Sequence, residues 1–280
     1  MIVFIDTHGR PDKQFTYETL RRRGYTGKIV FVVDDEDITV DRLHENYPDD
    51  DICMFHKQDY YEIVDSGVSA PKRELNLFAR CACEDIARSY QCESFVMSDD
   101  DILDFRYRYK EGSSLKSQKV LSTADEFIRL YDEFLILGDF AMISTGMPQM
   151  YFSGADVDET LWKWRVPFNF VFRNSKYKIE WVSSFEEECV TTVNSLLENK
   201  NCMCVPLVQH TINPLGEKKG GMFDAYSSSS PFRLAQYGHI FHPTASEPYF
   251  YHSKNKSKWM SKTRREYAFP KLISSSFKKL

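Results

Sequence analysis

Residues 95–101 read Phe95-Val96-Met97-Ser98-Asp99-Asp100-Asp101. A short apolar run of this kind, β-branched and aromatic and closed by polar residues, marks a buried strand. The carboxylate triplet directly beyond it is the strongest chemical signal in the chain. Three consecutive acids repel one another unless a cation or a hydrogen-bond network holds them. Oxygen ligands of this type suit magnesium or manganese, which also bridge diphosphates. The competing reading is a solvated loop or helix start, because Asp favours caps. The place at a strand's carboxyl end favours the metal site.

Three earlier runs share the character of Phe95–Met97, namely Ile2–Ile5, Ile29–Val33 and Ile52–Phe55. Helical patterns alternate with them. Thr16–Arg23, closed by Gly24, and Ile38–Tyr47 predict short helices. Leu75–Tyr90 predicts a longer one, with Leu75, Phe78, Ala79, Ala82, Ile86 and Tyr90 on one face. Strand–helix alternation gives a doubly wound α/β sheet, with ligands at the carboxyl ends of its strands. Further on, Thr123-Ala124-Asp125-Glu126 is a capping box. It opens a helix that directs Phe127, Leu130, Tyr131 and Phe134 inward and has Gly138 past its end. Strands are expected over Ala141–Ser144, Phe168–Arg173 and Tyr177–Val182. A helix follows from about Ser184 to Glu198, then a strand over Cys202–Val208. Residues 211–230 are rich in Gly, Lys and Ser and read as a mobile loop. The chain shows no internal repeat and no linker that separates two domains.

Composition narrows the class. The 280 residues are 42% hydrophobic and 28% charged, a soluble globular mixture. No apolar run approaches the ~20 residues of a membrane span. The first residues, ending at Asp6, read as a strand and not as a signal peptide. Seven cysteines, an odd number, read as reduced thiols. Cys81-x-Cys83 and Cys202-x-Cys204 lack the Cys-x-x-Cys spacing of zinc sites and lie in apolar patterns, which favours structural thiols. The chain has 36 basic and 41 acidic residues, unevenly spread. Residues 251–280 hold nine Lys/Arg and one Glu, a net +8, which leaves 27 − 40 = −13 on residues 1–250. A basic tail on an acidic body points to a polyanionic partner, or to a solvated tail.

Other candidate site residues lie at strand ends. Val33-Asp34-Asp35 ends the second run, where a carboxylate can accept hydrogen bonds from a nucleotide's base or ribose. Thr7-His8-Gly9-Arg10-Pro11 is a polar turn beside it. Phe185-Glu186-Glu187-Glu188 opens the late helix and supports two readings. Ser184 with Glu187 makes a capping box, and first-turn acids suit the helix dipole. Alternatively, one Glu is a general base that activates an acceptor hydroxyl. His210, just past Cys202–Val208, is a metal ligand or a structural histidine. In Lys218-Lys219-Gly220-Gly221 the glycines allow close approach to a phosphate and the lysines supply charge.

The order of these features resembles a metal-dependent glycosyltransferase of the Rossmann-like GT-A kind, over residues 1–215. More narrowly, residues 1–221 resemble the glycosyltransferases associated with thymine- and cytosine-hydroxylating dioxygenases, the TET/JBP-associated group. That group includes the base J glucosyltransferase and phage DNA-modifying enzymes. The resemblance implies an α/β GT-A fold with a mostly parallel central sheet flanked by helices. Its nucleotide-sugar half would cover residues 1–105 and its acceptor half 106–215. Residues 216–280 would form a mobile loop and a basic extension packed on the same domain. Asp99, Asp101 and His210 would hold Mn2+ or Mg2+, and Asp100 would touch the sugar or ribose. Thr7, His8, Arg10, Asp34 and Asp35 fit the nucleotide pocket. Lys72, Arg73 and Asn76 fit the segment that reaches the diphosphate or donor sugar, with Lys219 and Gly220 also on the donor.

Glu187 or Glu188 fits the base of an inverting enzyme. Relatives show Glu-Asp there while this chain has three glutamates, which leaves the identity of the base open. The implied reaction moves a sugar, glucose in particular, from a UDP-sugar to the hydroxyl of a hydroxymethylated pyrimidine in DNA. The implied location is cytoplasmic, the host cytoplasm if the protein is phage-encoded. A base in duplex DNA must be flipped out, and Trp162, Trp164 and Tyr226 are possible stacking partners or packing residues. Three other readings remain at this point. One is transfer to a glycan or protein. Another is a two-metal nucleotidyltransferase or nuclease drawing on Asp139 and Asp156. The last is a non-catalytic nucleic-acid binding module.

Overall fold

Four apolar runs form four parallel strands, each of which needs a helical crossover to reach the next; β1, β2 and β4 are largely buried on both faces, and β3 is the partly exposed edge. They are β1 (Ile2–Asp6), β2 (Ile29–Asp34), β3 (Asp51–Phe55) and β4 (Ser94–Asp99), ordered β3-β2-β1-β4. The computed structural model describes residues 1–67, 76–112, 114–148, 150, 166–213, 240–242, 246–252 and 261–267. The sheet continues with β5 (Ile102–Glu111), β6 (Ser114–Lys119), β7 (Met142–Gly146), β8 (Phe170–Asn174) and β9 (Cys202–Ile212). The full order is β3-β2-β1-β4-β8-β7-β9-β5-β6. Only β8 and β5 run against the other strands. The expected α/β fold with a mostly parallel central sheet is therefore present.

The crossovers are α1 (Phe15–Arg22), α2 (Val40–Asn46), α3 (Lys57–Tyr61), α4 (Asn76–Ser89), α5 (Ala124–Leu137) and α6 (Glu187–Leu197). Alternation along the strands splits the core in two. Val3, Ile5, Phe31, Phe170 and Phe172 pack with Phe105 and Phe127 on one face, which α5 covers. Phe4, Val30, Val32, Met97 and Val171 pack with Phe78 and Ala82 on the other, which α4 covers. Gly24 ends α1 at φ +83°. A Cβ there would lie 2.6 Å from the Ser122 carbonyl oxygen. The next contact is as close, since Ala124 N donates to Arg23 O at 2.9 Å. The end of α1 is thus fixed to the start of α5.

Several expectations need correction. Residues 177–182 form no strand. Both neighbours of β8 are taken by β4 and β7, so a returning strand has no edge to join. Ile179 and Trp181 pack on the core from an irregular segment instead. Helix α5 turns Phe127, Ile128, Tyr131 and Leu135 inward, while Leu130 and Phe134 are 54% and 44% exposed. The apolar side of this helix is wider than the face it buries, and the aromatic cluster around Phe105 and Phe170 selects the buried part. Thr123 stands at its N-cap but makes no cap bond; its hydroxyl pairs with the Tyr107 hydroxyl. Strands β5 and β6 were not foreseen. Nor was an antiparallel pair in the basic tail, β10 (Ser246–His252) and β11 (Ser261–Tyr267). Of the loop expected over residues 211–230, Thr211 and Ile212 belong to β9, and residues 214–230 lie outside the described residues.

All seven cysteines are free thiols. Burial pushes Cys81 and Cys202 up to about 12 and Cys83 well above its ordinary value. Among the described residues, no helix is long and apolar enough to cross a membrane.

Candidate active site

The carboxyl ends of β1, β2 and β4 meet at one crevice, and each ends in an acid: Asp6, Asp34 and Asp99. Register sets the first and third side by side, since Asp6 pairs with Asp99 in the parallel ladder. A buried and a half-buried carboxylate so close need a counter-charge. Arg80 on α4 supplies it. Its guanidinium donates to Asp6 Oδ1 at 3.0 Å and to Asp99 Oδ1, with 1% of the residue exposed. Burial pushes the Asp6 carboxyl up, and the Arg80 charge works against that. Asn169, in the turn before β8, donates its side-chain amide to Asp99 Oδ2. Its carbonyl accepts from Asp99 N at 3.1 Å and from the Ser98 hydroxyl at 2.9 Å.

The rest of the acidic triplet is held by the turn after β1 and by α1. Asp100 is buried and accepts from the Thr7 hydroxyl at 2.8 Å and from Arg10 Nη1 at 2.6 Å. Gln14 in turn donates to the Thr7 hydroxyl at 2.8 Å and to Arg10 O at 3.0 Å. Thr16 clamps the main chain. Its hydroxyl donates to Asp99 O and accepts from Ile102 N, and its amide donates to Asp100 O. The sequence offered a solvated loop or helix start as the alternative for these acids. The structure shows a tethered turn with Asp100 and Asp101 buried.

At the end of β2, Asp34 accepts from Lys57 Nζ at 2.9 Å and pairs with His8 Nδ1 at 2.7 Å. Burial pushes the Asp34 carboxyl up, but the bonds from His8 and Lys57 outweigh it and hold it below the usual range. His8 is raised by the same bond. Asp35 bonds Lys57 N and His56, which lower it. Asp37 accepts from Gly9 N at 2.9 Å, where the backbone takes φ +68°. Thr7, His8, Arg10, Asp34, Asp35 and Asp100 are therefore joined in one polar rim.

His210 lies within β9 and not past it, because the strand runs on to Ile212. It is fully buried, and its Nδ1 shares a 2.6 Å hydrogen bond with the Thr145 hydroxyl. Its Nε2 has no hydrogen-bond partner among the described residues. Burial lowers the imidazole to about 4, so it is neutral. A neutral imidazole with one open nitrogen, beside carboxylates, is the donor chemistry a divalent cation takes. Among the described residues, no three His, Cys, Asp or Glu side chains already stand together as a cation cage.

The glutamate run resolves into three roles. Glu186 is the N-cap of α6 in the left-handed region, φ 59°, and no side chain caps this end. The Ser184–Glu187 capping box is absent. Ser184 is drawn away to Ser66, whose carbonyl accepts both its amide and its hydroxyl at 2.8 Å. Glu188 accepts from Phe168 N at 3.3 Å and so holds the loop before β8. Glu187 is half-buried, and its carboxyl is pushed up to about 8, first by desolvation and then by the Glu188 charge. The Arg80 charge acts on it in the opposite sense.

Asn76 opens α4. Lys72, Arg73, Lys219, Gly220, Trp162, Trp164, Tyr226 and Asp156 lie outside the described residues. Asp139 sits before β7, at the opposite end of the sheet from the crevice, and pairs with Lys176. Sequence reading missed Arg80, Asn169, Thr16, Gln14, Lys57 and Thr145. Arg80 alone left a signal, as a cation inside the apolar stretch 77–83 of α4.

The family model of the TET-associated glycosyltransferases matches residues 1–208, ending two residues before His210. Among solved structures, the chain is similar to 4-diphosphocytidyl-2C-methyl-D-erythritol synthase from Anaerococcus prevotii DSM 20548. That likeness is 9% identical with a TM-score of 0.37, over 75% of this chain and 86% of that one. No curated protein matches the chain.

Proposed function

As the chain belongs to the TET-associated glycosyltransferase family, and so is a sugar-transferring enzyme of DNA modification, we propose its specific reaction. It moves a hexose, glucose in particular, from a UDP-sugar to the hydroxyl of a hydroxymethylated pyrimidine in DNA, with inversion. The observation that carries this reading is the acidic turn at the end of β4, where Arg80 and Asn169 hold Asp99, and Thr7 and Arg10 hold Asp100. The Glu187 carboxyl, pushed up to about 8 by desolvation and the Glu188 charge, is a stronger base than an ordinary carboxylate once it is ionised.

The reaction is a single displacement. The acceptor hydroxyl oxygen bonds the anomeric carbon of the donor, and the bond from that carbon to the diphosphate breaks. Glu187 takes the hydroxyl proton as the new bond forms, and the nucleoside diphosphate leaves with the electron pair. Asp34, Asp35, His8 and Arg10 bind the nucleotide, and Asp100 orients the sugar or ribose. The donor set of Asp99, Asp101 and His210 fits Mn2+ or Mg2+. A cation of this kind needs few protein ligands when substrate phosphates complete its shell. When bound, it neutralises charge growing on the leaving diphosphate.

The test is mass spectrometry of hydroxymethylated DNA after incubation with a panel of UDP-hexoses and manganese. A gain of one hexosyl mass on the modified pyrimidine is expected. No gain with any UDP-hexose would exclude the proposed reaction.

A further inference from the structure

The protein is acidic over residues 1–250, yet one surface element reverses that sign. The hairpin of β5 and β6, between Arg106 and Lys119, holds Arg106, Arg108, Lys110, Lys116 and Lys119 against Glu111 alone, 5 − 1 = +4. Strand alternation places Arg106, Arg108 and Lys110 on one face of β5. The register sets Lys119 opposite Arg106 on that face, and Ser117 opposite Arg108. Like charges directly opposite each other destabilise a ladder. Among the described residues, Asp104 lies 3.6 Å from Lys119 Nζ and is already engaged by Arg23, while Arg106 Nε donates to the Ser117 hydroxyl at 3.2 Å. The other face carries Tyr107 and Tyr109, with Lys116 opposite Tyr109. Lys110, Lys116 and Lys119 are exposed, and Tyr109 is 43% exposed.

Position adds to charge. β5 begins at Ile102, the residue after Asp101, so the hairpin leaves directly from the acidic turn. It pairs with β9 only as far as Tyr107–Val208 and then continues as a two-stranded ribbon with β6 at the sheet's edge.

We propose that this β5–β6 ribbon is where the acceptor's phosphate backbone docks, a duplex DNA surface that holds the polymer while one base reaches the crevice. The inference rests on the reading of DNA as acceptor. Lysines and arginines in a row displace condensed counterions from phosphates. A polyanion also relieves the repulsion between Arg106 and Lys119.

The experiment compares the full chain with two triple variants by fluorescence anisotropy on an unmodified duplex, across a series of salt concentrations. One variant is Lys110→Gln, Lys116→Gln, Lys119→Gln. The charge-matched control is Lys28→Gln, Lys176→Gln, Lys178→Gln, all exposed lysines elsewhere. The ribbon variant is expected to lose affinity about ten-fold at low salt, and its slope of log affinity on log salt is expected to shrink by about 2 to 3. The control should keep the parent's slope, and all three proteins should melt alike. Equal slopes and affinities in the ribbon variant and the control would overturn the proposal. Because the duplex carries no hydroxymethyl group, this readout is independent of transfer. Failure of the parent to glycosylate hydroxymethylated DNA would instead strike the functional reading alone.

Discussion

The guanidinium of Arg80 lies against the carboxylate of Asp99, and 1% of Arg80 is exposed. A helix in the middle of the chain thus neutralises the strand-end acid on which the nucleotide-sugar reading turns. The same guanidinium holds Asp6, so the first strand, the fourth strand and α4 meet in one buried ionic group.

Removing that cation leaves buried Asp6 and half-buried Asp99 side by side without a counter-charge. Arg80→Ala is expected to destabilise the fold by about 3–5 kcal/mol, the usual cost of leaving a buried charge unpaired. Urea unfolding measures this. A loss below about 1 kcal/mol would mean that water reaches Asp6 and Asp99 freely.

Asp101 lies in the tethered turn rather than in the hydrophobic core, so its loss opens no core cavity. Asp101→Ala is expected to keep the parent's melting temperature and to abolish manganese-dependent binding of the UDP-sugar. Calorimetry with and without manganese decides this. Unchanged manganese-dependent binding would remove Asp101 from the ligand set.

Thr145 orients the His210 ring through Nδ1. Thr145→Val keeps the shape and deletes that bond, which leaves the open Nε2 less well aimed. Groups behind a metal ligand commonly contribute 10- to 100-fold in affinity. The expected result is a loss of roughly ten-fold in manganese-dependent donor binding, with nucleotide binding in EDTA unaltered. An equal loss with and without manganese would assign Thr145 to packing.

Glu187→Gln is expected to lower turnover about 100-fold or more, with donor affinity little changed. Glu188→Gln should be mild, because an amide oxygen still accepts from Phe168 N. The pH dependence follows from the raised carboxyl. Protonated Glu187 cannot accept a proton, so kcat/KM should rise with pH until about 8 in the parent, while the Gln variant lacks that limb. Stability moves the other way. Between the ordinary 4.5 and about 8 the folded state binds more protons than the unfolded one, so this group's contribution falls as pH rises. Glu187→Gln should flatten that part of the stability curve. A variant with parent-like turnover and pH profile would leave the helix start without a base.

The parallel half of the sheet was legible because its strands read as short unbroken apolar runs. β5 and β6 escaped for the opposite reason. Arg106, Arg108, Lys110 and Lys116 give them the look of a loop, and their pairing with each other, and that of β5 with β9, makes them strands. The acids at the strand ends were visible in sequence because they directly follow buried apolar runs. Their partners were not. Arg80 is 19 residues and Asn169 is 70 residues from Asp99 along the chain, and chain folding alone brings them to it. The Ser184 capping box failed because a local pattern cannot foresee a distant competitor, here the carbonyl of Ser66.

One continuous ladder of strands runs from β3 to β6, and Gly24 locks α1 to α5 beneath it. To bend the sheet open between β4 and β8 would tear main-chain hydrogen bonds along five paired residues. The frame that carries the strand-end acids is therefore stiff across its width, and in the proposed reaction donor and product would have to come and go without the sheet opening.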